Sequence, residues 1–219
     1  MLGAVFFVLV VTLLTGHYFL IERPRRVERA STAGPRAMPL RELISRLPAG
    51  VFLQPTFTWG QVRPGGEVEI GVHPLLLSLL GPDSQVETRN AGERVAKGDP
   101  LMRVGIGERS LVVRSPVAGS ISMSNASAAG ATDWQSRSDR TCLIQPERLS
   151  DEIPVWMLGQ AAVDWTQAQY GRIRDHLLTR SADPQTGIAL ADGGELPVGV
   201  LARLGAMDWA DFEAEFLSA

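Results

Sequence analysis

The chain has 219 residues, 45% of them hydrophobic and 21% charged, which is typical of a globular protein with a buried core. Its net charge of −3 provides no basic field for nucleic acid, so we expect no nucleic-acid partner. The single cysteine, Cys142, excludes an intrachain disulfide framework, and the three histidines are too far apart for a metal-binding motif. The composition therefore predicts no metal site.

An apolar segment opens the chain: LGAVFFVLVVTLLTGHYFLI, Leu2–Ile21, has no acidic or basic residue apart from His17. As a helix, about 20 residues at 1.5 Å each span roughly the 30 Å of a bilayer core. A cleaved signal peptide is disfavoured, because no positive region precedes the segment and no small-x-small cleavage site follows it. We therefore predict that residues 1–22 form an uncleaved transmembrane helix.

The arginines that follow this segment orient the predicted anchor. Arg23, Arg25 and Arg26 are candidate contacts with the lipid bilayer, and they favour retention of their side in the cytoplasm. We expect a single-pass protein of the inner (cytoplasmic) membrane, with its N-terminus outside and its C-terminal domain cytoplasmic. Residues 23–39, which contain ASTAGPRAMP, predict a juxtamembrane linker.

Residues 40–149 are predicted to form a β domain. LRELISRLP predicts a short amphipathic helix, and the chain then changes to short alternating segments bounded by glycine turns. Glu67 and Glu69 alternate with Val68 and Ile70, which predicts that both glutamates face solvent. HPLLLSLLG predicts a short helix that ends at Gly81.

Residues 150–219 predict a helical extension. Its long segment places Val163, Tyr170, Ile173 and Leu177 on one face, whereas Trp165 lies off that face. The tail GAMDWADFEAEFLSA spaces Trp209, Phe212 and Phe216 at i, i+3 and i+7. These aromatic residues are candidate partner contacts, because the tail could dock in a partner's groove or fold back on its own β domain.

Four segments in order, from about Gly50 to Pro146, carry a family resemblance. They are FTWGQV with its Trp59, GGEVEIGVHPLLLSLLG, NAGERVAKGDPLMRV and SPVAGSISMSN. Together they resemble the lipoyl-carrying H-protein of the glycine cleavage system, although Phe57 stands where that family has a histidine. The resemblance implies a mainly β, flattened barrel or sandwich of two antiparallel sheets, between the transmembrane helix and the helical extension.

The residue that carries the lipoyl group in that family is missing. The resemblance places the lipoylated lysine at a hairpin tip, seven residues before Ser115, and Glu108 occupies this position. Gly105 stands where the family has an acid, and Lys97, the only lysine among 21 basic residues, lies in another turn. An arginine such as Arg109 cannot form the lipoyl amide. We therefore expect no lipoyl group and no other cofactor.

We find no catalytic constellation in the sequence and predict that the chain is not an enzyme. The expected function is a non-catalytic accessory or scaffold subunit of a larger membrane protein complex, whose other subunits are its partners. The predicted layout consists of an anchor, an arginine flank and a cytoplasmic β domain, and it resembles the layout of the H subunit of bacterial photosynthetic reaction centres. We therefore expect the chain to belong to a photosynthetic or respiratory complex. Two alternatives remain open: a tethered module that recruits a soluble enzyme able to recognise lipoyl carriers, and an enzyme with a site that sequence does not reveal.

Overall fold

The computed structural model describes residues 47–125, 141–180 and 195–218. The predicted membrane segment, the arginine flank with Arg23, Arg25 and Arg26, the linker and most of the amphipathic helix lie outside the described residues. None of the helices within these three ranges has both the length and the apolar character needed to cross a membrane.

Nine strands form two antiparallel sheets in the described part of the chain, which confirms the prediction of a mainly β domain. A six-stranded sheet has the order β1-β2-β3-β9-β8-β5, and a three-stranded sheet has the order β4-β6-β7. The strands are β1 (Phe52–Gln54), β2 (Thr58–Val62), β3 (Val68–Val72), β4 (Gln85–Thr88), β5 (Arg94–Val95), β6 (Pro100–Ile106), β7 (Arg109–Arg114), β8 (Gly119–Ser124) and β9 (Thr141–Pro146). Buried apolar side chains of both sheets share one core, so the sheets form an open sandwich.

Strand β3 is buried along its whole length because it lies in the interior of the six-stranded sheet, between β2 and β9. The prediction that Glu69 faces solvent is therefore wrong: this residue is buried. Its carboxylate accepts hydrogen bonds from Arg63 and, at 3.3 Å, from the Thr141 hydroxyl. Alternation along the strand identified the apolar face but not that the opposite face is also covered.

Gly71 makes room for the buried indole of Trp59 on the neighbouring strand. A Cβ atom at Gly71 would lie 2.6 Å from three indole atoms, well inside van der Waals contact. We expect Gly71→Ala to lower the free energy of unfolding by on the order of 1 to 2 kcal/mol, because the ring must tilt away. Urea unfolding measures this, with Gly65→Ala as the matched control, since a Cβ at Gly65 meets nothing within 4 Å. Equal losses in the two variants would contradict the packing argument.

Helix α1 (Pro74–Leu80) confirms the prediction from HPLLLSLLG, and all seven of its residues are buried. His73 caps its N-terminus, with Nδ1 accepting the Leu75 N–H at 2.9 Å. At the other end, Gly81 takes a φ of 95°. The Gly199 N–H, from the C-terminal extension, donates to the Ser78 carbonyl at 2.9 Å. The extension therefore helps to satisfy the end of the central helix.

Burial of His73 makes stability depend on pH. It lowers the pKa of this imidazole from 6.5 to about 3, so the folded chain keeps it neutral. The unfolded chain binds the additional proton between these values, so stability falls as pH decreases from 6.5 towards 3, by about 1.4 kcal/mol per pH unit. We expect His73→Asn, which retains a capping oxygen, to lose this component. Urea midpoints at pH 7 and pH 5 measure it; equal acid sensitivity of both proteins would contradict it.

The extension consists of α2 (Leu149–Glu152), a 3-10 helix (Ile153–Val155), α3 (Gln160–Arg180), a second 3-10 helix (Leu201–Arg203) and α4 (Ala206–Phe216). Of the predicted face of α3, Tyr170, Ile173 and Leu177 are buried, whereas Val163 is only half-buried. Ala162 and Thr166 complete the buried face instead. The same core cluster contains side chains of the strands and of the extension, so the extension is packed onto the β domain.

Candidate functional site at the β6–β7 hairpin

The hairpin between β6 and β7 is the position at which the sequence resemblance places the lipoyl-bearing residue. Ile106 pairs with Arg109, which leaves Gly107 and Glu108 as the two turn residues. Gly107 has a φ of 61°, whereas the φ of Glu108 is negative. This is the pattern of a type II′ turn, which takes glycine at its first central position. Glu108 is exposed at the tip.

Gly105, in strand β6, has no space for a side chain. A Cβ at this position would lie 2.2 Å from the Arg109 carbonyl oxygen and 2.9 Å from the Ser110 Cα. Because both atoms belong to the backbone of the paired strand, an acid at position 105 would require the hairpin to open. The backbone of this hairpin therefore requires glycine at position 105, where the sequence resemblance implies an acid.

Arg109 joins the base of this hairpin to the C-terminal extension. Its guanidinium donates to the carbonyl of Ala202 at 3.0 Å and to that of Leu204. It also lies over the Trp209 ring, 5.2 Å from the centroid. The Trp209 indole N–H donates to the Leu201 carbonyl at 2.8 Å. Arginine and tryptophan together thus satisfy three carbonyls at the second 3-10 helix.

The aromatic residues of the tail, which the sequence analysis named as candidate partner contacts, pack within the chain's own core. Trp209, Phe212 and Phe216 are 4%, 0% and 5% exposed and belong to the shared core. Of the two arrangements that the sequence left open, the structure has the tail folded back on its own β domain. Trp165 is half-buried, with its ring 5.2 Å from that of Phe57 and 5.7 Å from that of His73.

Two shallow cavities adjoin the hairpin along the outer side of the three-stranded sheet. The smaller, about 130 Å³, includes Glu108 and Arg109 in its lining, and the larger, about 390 Å³, extends towards Arg89 and Pro100. Glu87 and Arg103 line both cavities. Their opposite charges give these surfaces no strong preference for an anionic or a cationic ligand.

Reactive groups lie elsewhere in the described part of the chain. Cys142 is buried in β9, and this burial raises the pKa of its thiol to about 12, so it is not a nucleophile at neutral pH. Lys97 forms an ion pair with Glu152 at 2.5 Å. Within residues 47–125, 141–180 and 195–218, no group of three or more His, Cys, Asp or Glu side chains could hold a metal ion.

Sequence reasoning missed two features of this region. It considered Arg109 only as a base that cannot carry a lipoyl group, because the carbonyls it contacts are 93 and 95 residues away in the chain. It also gave no weight to IPVWMLG, Ile153–Gly159, which exposes several apolar side chains. The absence of any charge in that stretch was the available signal.

Comparisons with known proteins give a structural similarity only. No protein-family model matches the chain. No curated protein matches it either. Among the solved structures similar to it is a glycine cleavage system H protein from Mycobacterium marinum, at 19% identity and a TM-score of 0.36. The match covers 46% of this chain and 87% of that chain. A similarity this weak does not determine a function. The function must be inferred from the chemistry of the hairpin residues.

Proposed function

We propose that this protein is a membrane-anchored, non-catalytic accessory subunit that helps to hold a larger membrane complex together. In this proposal it uses a lipoyl-carrier-like β domain that carries no lipoyl group. The observation that carries the proposal is the glutamate at the tip of the β6–β7 hairpin, where the resemblance implies a lipoylated lysine. A carboxylate cannot form the lipoyl amide, so no swinging arm can operate from this tip.

Two further contacts support a static role for the domain. Arg109, the residue after the tip, is held by the extension through the carbonyls of Ala202 and Leu204. Lys97, the only lysine, is engaged by Glu152 of the extension and lies outside the hairpin. The predicted anchor at Leu2–Ile21 would keep such a domain at the inner membrane, and a photosynthetic or respiratory complex is the proposed setting.

Purification from native membranes in mild detergent tests this proposal. We expect the full chain to co-migrate in fixed stoichiometry with other integral subunits, and pigment- or quinone-binding subunits would support the proposed setting. Stoichiometric recovery of a soluble dehydrogenase instead would favour the tethered recruiting module. Recovery of free chain would contradict the scaffold.

Intact-mass measurement of the same preparation tests the absence of the carrier group. We expect the mass of the unmodified polypeptide. A covalently attached dithiolane would overturn the proposal, whichever residue carried it.

A further inference from the structure

Three exposed apolar side chains lie within six residues of one another near the start of the C-terminal extension. Ile153, Val155 and Leu158 are 39%, 53% and 50% exposed. They lie in Ile153–Gly159, a stretch without any charged residue. Exposed apolar side chains grouped in one short stretch can mark a contact surface. We refer to these three residues as the apolar patch.

The stretch that bears the apolar patch is fixed on the edge of the six-stranded sheet. Between Val155 and Leu158, the Trp156 ring packs 5.5 Å from the Phe52 ring. The Met157 N–H donates to the Leu53 carbonyl at 2.9 Å, and the Leu53 N–H donates to the Met157 carbonyl at 2.8 Å. Two backbone hydrogen bonds to β1 therefore fix the stretch that bears the apolar patch to the edge of the sheet.

The patch lies beside the point where the chain arrives from its N-terminal segment. Leu47, the first described residue, packs against the same small core cluster as Met157. Residues 22–46 join Leu47 to the predicted membrane span, Leu2–Ile21. A tether of this length keeps the domain at a high effective concentration next to the bilayer, so even a weak apolar contact would be populated.

We propose that the apolar patch inserts into the boundary between the headgroups and acyl chains of the bilayer to which the protein is anchored. This inference rests on the anchor in the proposed function. It assigns a membrane-facing side to the β domain. The occupant is lipid, because the patch offers apolar surface and few groups that need a polar partner.

The backbone of the stretch suits an apolar environment. The N–H groups of Ile153, Trp156 and Met157 all donate within the chain, and Pro154 has no N–H. Backbone donors that are already satisfied can enter the interface without the cost of losing water.

Most charges next to the stretch form ion pairs, so they add little net charge beside the apolar patch. Arg148 lies 3.5 Å from Asp151, and Lys97 lies 2.5 Å from Glu152. The carboxylate of Asp164, on the far side, accepts a hydrogen bond from Gln160 at 2.7 Å. Because these neighbouring cations are already paired, binding does not need anionic lipid, and vesicles of phosphatidylcholine are a suitable probe.

Spin labels on the full chain, reconstituted in phosphatidylcholine vesicles, test the inference. Leu158→Cys places a label in the patch, and Met207→Cys is the matched control, since Met207 is 77% exposed on α4. The native Cys142 is 1% exposed and does not compete for the reagent. We expect the label at position 158 to relax several-fold more with oxygen than with a water-soluble nickel chelate, and the label at position 207 to show the reverse.

A second variant and a fractionation step make each outcome informative. Val155→Asp, at a half-exposed position, should return the label at 158 to the nickel-accessible state without unfolding the domain. Equal nickel accessibility at 158 and 207, in chain that resists carbonate extraction, would overturn the lipid contact and leave the anchor standing. Spin–spin broadening of the label at position 158 that increases with the protein-to-lipid ratio would overturn the lipid contact. It would indicate instead that a second copy of the chain covers the patch. Chain extracted by carbonate would refute the anchor, and with it the proposed function.

Discussion

Truncation of Phe212 to alanine is expected to lower the free energy of unfolding of the whole described domain by about 3 to 5 kcal/mol. The side chain is completely buried, and its ring lies 4.9 Å from that of Phe216. Both rings belong to the cluster that also contains buried residues of the β-strands, so the cavity would weaken strands and helices together. Urea unfolding followed by circular dichroism and by tryptophan fluorescence measures the loss and shows whether the two signals move together.

Met207→Ala is the matched control for this truncation, because Met207 lies on the same helix and is 77% exposed. We expect it to change stability by less than about 0.5 kcal/mol. A separate early transition of the extension in Phe212→Ala, with the strands unaffected, would contradict the shared core. The tail would then be free for a partner, as the docking alternative requires.

The aromatic spacing of the tail predicted a buried helix face correctly but not what buries it. Trp209, Phe212 and Phe216 would show the same periodicity against a partner's groove as against their own β domain. Only the contact with β7 and the second 3-10 helix distinguishes the two. A helical pattern records that a face is covered and carries no information about which chain covers it.

Local signals predicted the β domain well where one short segment determines the structure. The HPLLLSLLG helix with its Gly81 end follows from capping preferences, whereas the hairpin tip at Glu108 was placed only by the family resemblance. Glu69 was misplaced because alternation cannot reveal that both faces of an interior strand are covered. The hairpin was located correctly, whereas the docking of the extension on it depends on contacts between residues distant in the chain.

Arg109→Met is expected to lower the free energy of unfolding by about 2 to 4 kcal/mol, because two hydrogen bonds from a charged donor and a cation–π contact are lost together. The variant keeps the apolar stem of the side chain but leaves the carbonyls of Ala202 and Leu204 without their donor. We expect local loosening as well: amide hydrogen exchange of residues 201–216 should accelerate more than that of β2 and β3.

Arg103→Met provides the comparison, because Arg103 is an exposed arginine of the same hairpin that lines both cavities. It has no hydrogen bond or ion pair with the described residues of the extension. Its replacement removes the same charge, so a purely electrostatic effect would weaken both variants alike. If the contact with the extension is what matters, Arg103→Met should stay within about 0.5 kcal/mol of the parent and leave exchange in residues 201–216 unchanged. Equal losses in free energy of unfolding for both variants would show that the charge of the hairpin, rather than attachment of the extension, stabilises this region. The Arg109 contacts would then no longer support a static role for the domain.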